Sequence, residues 1–467
     1  MKKFLVVLLS LGLLVAFGAT ASAADVKFSG SYYVVGVYDN NTQLADVDKT
    51  YSRTFFYQRI RVQPVFQIAE GLTFTTRFDA MEKQWGQTDW RGGFDDKASS
   101  RREYPAVAGS NAAGSNPKIQ ESIEFERGYV AFTTAAGVVQ AGYMSSGKWG
   151  TDFGDDEQSR PRARIDTKIG DMQMGFVYEK EFESDTTSQA GLAGKVDADS
   201  DTYALYGLYN FKGGSAGLLY KFFDRRATRP NANYRGKFHA LLPVVKATIG
   251  PVYFEAEATY GWGKFAEFDS GTTPDKDFDN KGLYGKVRVN LGPAYFGLSA
   301  LWSQGQDDDF ATKVKTGPAS QDLYIGLILG NDELQTWNGG SNALASSGNG
   351  TGNVNKAGAL DSGKNNSIFY SAFGGFNPSA KLNLELTFVY AQRDKVVLTG
   401  LANENTSKNL GMEFDVTAKY KIYDNLTYMV GAGYLWTGDY FKGTGLNSAD
   451  NKIGNDYLLM NRLSLSF

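Results

Sequence analysis

The feature that most constrains this chain is an alternation of apolar and polar residues over stretches of ten to twelve positions, repeated from end to end. Val252, Phe254, Ala256, Ala258, Tyr260 and Trp262 alternate with Tyr253, Glu255, Glu257, Thr259 and Gly261. Leu410, Met412, Phe414, Val416, Ala418 and Tyr420 alternate with Gly411, Glu413, Asp415, Thr417 and Lys419, and Leu426 to Trp436 completes that hairpin. Successive side chains of a β-strand point to opposite faces, so each stretch is greasy on one side and wet on the other. A strand tilted by about 40° climbs roughly 2.5 Å per residue, so about ten residues cross an apolar band of about 25 Å. Amphipathic strands of a soluble sandwich would show the same alternation.

Loop lengths separate the two readings. Short turns fall at 69–71, 135–137, 170–171, 212–215, 250–251, 292–293, 377–379 and 423–425. Between them lie polar stretches near 86–121, 147–161, 184–200, 227–234, 266–280, 305–365, 393–409 and 439–455. Short turns on one side and long loops on the other are the asymmetry of a membrane barrel, periplasmic and extracellular respectively. The fold class expected is therefore all-β, a transmembrane antiparallel up-and-down β-barrel of about 18 strands, with 16 as the alternative. Gly 54, Tyr 27 and Phe 31 against Pro 11 suit strands joined by tight turns. Arg127 falls on the apolar side of its strand, which predicts a bulge or a shifted register there.

The amino-terminus reads as an export signal. Met1-Lys2-Lys3 is followed by an apolar run from Phe4 to Phe17 and the small-x-small site Ala21-Ser22-Ala23. The expected organisation is a cleavable signal at 1–23 and a barrel at 24–467. No later apolar run reaches the 18 or so residues of a membrane helix. With no Cys, disulfides, thiolate metal sites and a lipobox are excluded. A net charge of −3 argues against a nucleic-acid partner. No catalytic residue, cofactor or metal is expected. His239 is the one histidine, no Gly-x-Ser-x-Gly elbow occurs, and the acidic runs Asp155-Asp156-Glu157 and Asp307-Asp308-Asp309 match no calcium loop.

The last strand, Tyr457 to Phe467, puts Tyr457, Leu459, Leu463, Leu465 and Phe467 on one face and Arg462, Ser464 and Ser466 on the other. It resembles the final strand of bacterial outer-membrane proteins, which typically ends in Phe. The resemblance implies that Phe467 is a membrane-assembly signal read by the barrel-assembly machinery. The approach Val139 to Gly150, leading into Asp152, Asp155, Asp156 and Glu157, resembles the inward-folded third loop of the general diffusion porins of Gram-negative bacteria. In that family the loop's carboxylates face arginines on the barrel wall. Arg59, Arg61 and Arg77 of the second and third strands, with Arg162 and Arg164 of the sixth, are placed where such a constriction could form. The chain departs from the family in its short third loop and in exceeding the usual 16 strands.

These observations lead to a water-filled outer-membrane channel for small hydrophilic solutes and ions, embedded in outer-membrane lipid and expected as a homotrimer. A substrate-specific channel with a binding track of Tyr57, Tyr253, Tyr284 and Tyr295 for a sugar or organic acid is the second reading. A structural barrel around a partner protein is the third. Within 305–365, the stretch 322–330 reads either as a hairpin arm or as a loop packed at the mouth.

Overall fold

The computed structural model describes residues 25–41, 44, 47–48, 52–85, 123–154, 157–183, 199–227, 234–269, 271–307, 309–318, 323–337, 364–396, 407–442 and 452–467. Their strands are β1 (Asp25–Asp39), β2 (Arg53–Ala69), β3 (Leu72–Gln84), β4 (Glu124–Thr134), β5 (Gly137–Ser145), β6 (Ser159–Ile169), β7 (Met172–Phe182), β8 (Ser200–Phe211), β9 (Gly214–Arg225) and β10 (Tyr234–Ile249). They continue with β11 (Val252–Phe268), β12 (Lys276–Leu291), β13 (Ala294–Ser303), β14 (Lys313–Thr316), β15 (Ser367–Ser379), β16 (Leu382–Arg393), β17 (Asn409–Tyr423), β18 (Leu426–Thr437) and β19 (Asp456–Ser466). A short helix, α1 (Asp332–Trp337), lies between β14 and β15.

Each long strand pairs antiparallel with its neighbours in sequence, β13 pairs with β15, and β1 pairs with β19. That last pairing closes the sheet into an 18-stranded barrel and removes every long edge. The strand left over is β14, which runs parallel to the upper end of β12, with Asp277 to Asn280 beside Lys313 to Thr316.

The outward face is apolar and uncovered. Leu298 is 63% exposed, Leu283 55%, Phe296 53% and Leu386 50%. A continuous surface of such side chains is incompatible with water and natural in a bilayer. Trp262, Trp436, Tyr434 and Tyr457 stand toward the long-loop end, where amphipathic rings suit the membrane interface.

Glycines make the short turns. Gly250 and Gly292 adopt φ of +58° and +62°, a left-handed conformation that costs a side-chain-bearing residue energy, and each precedes a proline. The predicted turn at 377–379 sits two residues later, because β15 runs on through Ser379. The irregularity expected near Arg127 is present: Arg77 faces Arg127 while Phe78 faces Phe125, so Glu126 is the extra residue of a bulge. It turns the Arg127 side chain onto Glu157.

The main hydrophobic cluster lies inside the barrel, against one sector of its wall. Leu323, Ile328, Leu329, Leu334 and Trp337, from the stretch 323–337, pack on Tyr33, Val35, Val37, Tyr57, Phe369, Val389, Leu410, Leu435, Leu458 and Met460. Of the two readings of 322–330, the packed loop is the one observed. The segment lies within the barrel rather than across its rim.

Candidate functional site

Two inward segments shape the lumen, and each is held by carboxylates of the wall. The first follows β5. The Thr151 amide and hydroxyl both donate to Glu257 Oε2 of β11, at 2.6 and 2.8 Å. A Cβ at Gly154 would lie 2.0 Å from Glu257 Oε1, so only glycine allows this approach. Phe153 stacks on Tyr284 of β12 with ring centroids 5.8 Å apart, and Trp149 Nε1 donates to the Leu242 carbonyl of β10 at 3.1 Å. The third loop thus leaves β5 and lies on the inner wall of β8 to β12.

The second segment is 323–337, on the opposite sector. Three consecutive backbone amides converge on two carboxylates: Leu327 donates to Asp415 at 3.1 Å, while Ile328 and Leu329 donate to Glu413 at 2.7 and 2.6 Å. Such a run of amides forms a concave anion nest. Below it Trp337 Nε1 donates to the Tyr33 hydroxyl at 3.3 Å, and Glu333 pairs with Arg462 at 3.0 Å. The Arg462 guanidinium lies 4.5 Å above the Tyr33 ring, with Arg59 5.2 Å from the same ring. These contacts fix α1 to the wall by charge and aromatic stacking together.

The remaining wall, β2 to β7, carries the arginines singled out from the sequence, and each is matched to a wall carboxylate. Arg61 is bidentate on Asp79, at 2.8 and 2.7 Å, and Arg59 reaches Glu82 at 3.5 Å. Arg77 pairs with Glu126 at 2.9 Å, Arg162 with Glu179 at 2.6 Å, and Arg164 with both oxygens of Asp166. Arg162 also donates to the Met144 and Gln158 carbonyls, and Arg164 to the Ser146 carbonyl at 3.3 Å. These two side chains brace both ends of the third loop.

The loop carboxylates do not face this wall as a group. Asp152 pairs with Lys148 inside its own loop at 2.7 Å, in an exposed contact worth little. Glu157 pairs with Arg127 at 3.0 Å. Asp155 and Asp156 lie outside the described residues. Of the tyrosines in the second reading, Tyr57 is covered by the 323–337 segment and Tyr284 by Phe153, leaving Tyr253 and Tyr295 accessible. Phe467 stays on the lipid face, its amide and carbonyl both bonded to Gly30 of β1 at 3.0 and 2.7 Å.

In the sequence Glu257, Glu413 and Asp415 fall on the polar face of their strands, and nothing near them signals a partner. The stronger signal was on β1 and β19. Val35, Val37, Leu458 and Met460 are apolar on the face that should be wet, and a wall greasy on both sides needs a cover.

With this geometry in place, comparison with known proteins is informative about the fold. No protein-family model matches the chain, and no curated protein does. Among solved structures, Acinetobacter baumannii OccAB2 aligns with a TM-score of 0.50 at 11% identity, covering 94% of this chain and 98% of that one. A doubly substituted OccD1 (OprD) aligns with a TM-score of 0.50 at 12% identity, covering 96% and 97%. The chain has the fold of Gram-negative outer-membrane porins. A BenF-like porin from Pseudomonas fluorescens Pf-5 is also similar, at 10% identity, 95% and 98% coverage and a TM-score of 0.49. The barrel has the 18 strands expected from the spacing of its turns and loops, and not 16.

Proposed function

We propose that the protein is a passive diffusion channel of the Gram-negative outer membrane, conducting ions and small hydrophilic solutes between its inward segments. The observation that carries this reading is the lumen-facing wall of β2 to β7. An inner surface of closely paired arginines and carboxylates is stable beside water, whereas a dry interior would be filled with apolar side chains. Arg59, Arg61, Arg77, Arg162 and Arg164, with Asp152 and Glu157, line the path. The short turns face the periplasm and the long loops the exterior, with 1–23 removed on export. Phe467 directs assembly, and three copies associate through their lipid faces. Crosslinking in mild detergent tests the last point: a trimer band is expected, and a purely monomeric mass rejects it.

Liposome swelling with a series of neutral sugars tests the channel. Monosaccharides should enter vesicles containing the protein, with rates falling as the solute grows. Swelling no faster than in protein-free vesicles would refute it. A structural barrel enclosing a partner protein would behave in that second way. The substrate-specific reading finds its support in Tyr253 and Tyr295, which remain accessible on the wall.

A further inference from the structure

The basic residues of the lumen fall into two classes. Along β2 to β6, Arg59, Arg61, Arg77, Arg127, Arg160, Arg162 and Arg164 each have a carboxylate within 3.5 Å. A tight pair is close to neutral at any distance beyond its own length, so this wall offers little net field to a passing ion. Lys168, Lys246, Lys286, Arg288 and Lys419 are different. All are on the lumen face, all lie in the half of their strands nearer the short turns, and none forms an ion pair among the described residues.

Arg288 sits at the centre of a built patch. Its guanidinium lies 5.5 Å from the Tyr295 ring and 6.0 Å from the Tyr253 ring, and its Nε is buried without an acceptor. The Lys286 ammonium lies 5.4 Å from the Phe373 ring. Glycines let these rings lie flat on the wall: a Cβ at Gly375 would meet the Tyr295 ring at 2.1 Å, and one at Gly297 the Phe373 ring at 2.3 Å. Two carboxylates share the patch, and tyrosines occupy them. Glu255 accepts from the Tyr253 and Tyr284 hydroxyls at 2.6 and 3.1 Å, and Glu385 from Tyr295 at 2.6 Å. Lys246 and Lys286 stand opposite Glu255 on its two neighbouring strands without closing an ion pair. Arg288, Lys286 and Lys246 outnumber Glu255 and Glu385, and Lys168 and Lys419 add to the excess around the mouth.

We infer that the anion filter of this channel is its short-turn mouth, at Arg288, Lys286 and Lys246, and that the guanidinium between Tyr253 and Tyr295 is a binding site for small oxyanions. A guanidinium presents a planar fork that fits carboxylate or phosphate through two parallel bonds, and the flanking rings keep that plane fixed. The ion-paired arginine wall supplies passage rather than sign. This inference rests on the channel reading, and the experiment keeps the two apart.

Reversal potentials across a KCl gradient are measured for wild type and two variants whose heat-modifiable mobility shows a folded barrel. A wild type that does not conduct overturns the channel reading itself. In a conducting protein, Arg288→Gln/Lys286→Gln/Lys246→Gln lowers the chloride-to-potassium permeability ratio roughly three- to tenfold at 0.1 M salt, with the difference fading near 1 M as screening tightens. Lys264→Gln/Asp277→Asn, which removes one closed pair at the long-loop end, leaves the ratio close to wild type. An unchanged ratio in the triple variant, or an equal change in the paired variant, overturns the filter. For the oxyanion site, acetate and inorganic phosphate are added separately on the short-turn side. Each should reduce chloride current in wild type, and Arg288→Lys should keep the ion selectivity while losing this competition. Equal competition in Arg288→Lys, or none in wild type, overturns the site.

Discussion

Replacing Glu413 by alanine should release the 323–337 segment from the wall. The Glu413 carboxylate is wholly buried and accepts the Ile328 and Leu329 amides at 2.7 and 2.6 Å. Removing the acceptor leaves two buried amides unsatisfied at about 1–3 kcal/mol each, so the loss amounts to roughly 2–6 kcal/mol before relaxation. Asp415 still holds the Leu327 amide, and Leu329, Leu334 and Trp337 keep their buried contacts, so part of the anchoring survives. A net loss of about 3 kcal/mol would raise the population of the detached segment about a hundredfold. Hydrogen exchange at the Ile328 and Leu329 amides reads this directly, since local opening sets the rate. Exchange should quicken by about two orders of magnitude, and single-channel current should become noisier. Glu413→Gln, which keeps one acceptor oxygen, should fall between. Wild-type exchange at both amides in Glu413→Ala would show that the apolar contacts alone hold the segment, and the carboxylate argument would be wrong.

Other consequences follow from the same contacts. Glu257→Ala should free the third loop from β11, because both bonds from Thr151 are lost, and should raise single-channel conductance; an unchanged conductance would mean that the loop is held by Phe153 and Trp149 alone. Phe467→Asp should leave export intact while impairing barrel assembly, since it puts a charge on the lipid face, and normal heat-modifiable mobility would defeat that expectation. Acid should loosen β14. The Lys315 ammonium bonded to Asp307 holds its carboxyl below the usual range, with Lys395 adding to the effect. A carboxyl depressed in the fold contributes stability that is full above its unfolded value of about 3.9 and is lost as pH falls through the lower folded value. The pair is partly exposed, so screening keeps the effect under about 1 kcal/mol. Hydrogen exchange at Val314 should quicken only below about pH 4.

The wall of this barrel was legible in the sequence and its furnishing was not. Alternation fixes which face of a strand is apolar, so Val252 to Trp262 and Leu410 to Tyr420 could be oriented without coordinates. Gly-Pro at 250–251 and 292–293 marks turns through backbone chemistry that is local to two residues. Inward loops depend instead on contacts between distant positions. Nothing near Leu327 signals that its amide meets Asp415, because the pairing arises only once β17 and the loop share one lumen. The same holds for the arginines. Their face was readable, but the carboxylates matching them came from neighbouring strands or, for Arg164 and Asp166, from the same one. Val35, Val37, Leu458 and Met460 were the readable trace of the covered wall, since two apolar faces on one barrel strand require something on each side.

The central claim is an open, water-filled path through a folded barrel, and single-channel recording of the purified protein in a planar bilayer tests it most directly. Stepwise current increments are expected, nearly ohmic at low voltage and rising with KCl concentration, without any added partner. A folded, heat-modifiable protein that inserts into the bilayer and gives no current increments at any salt concentration would contradict the account.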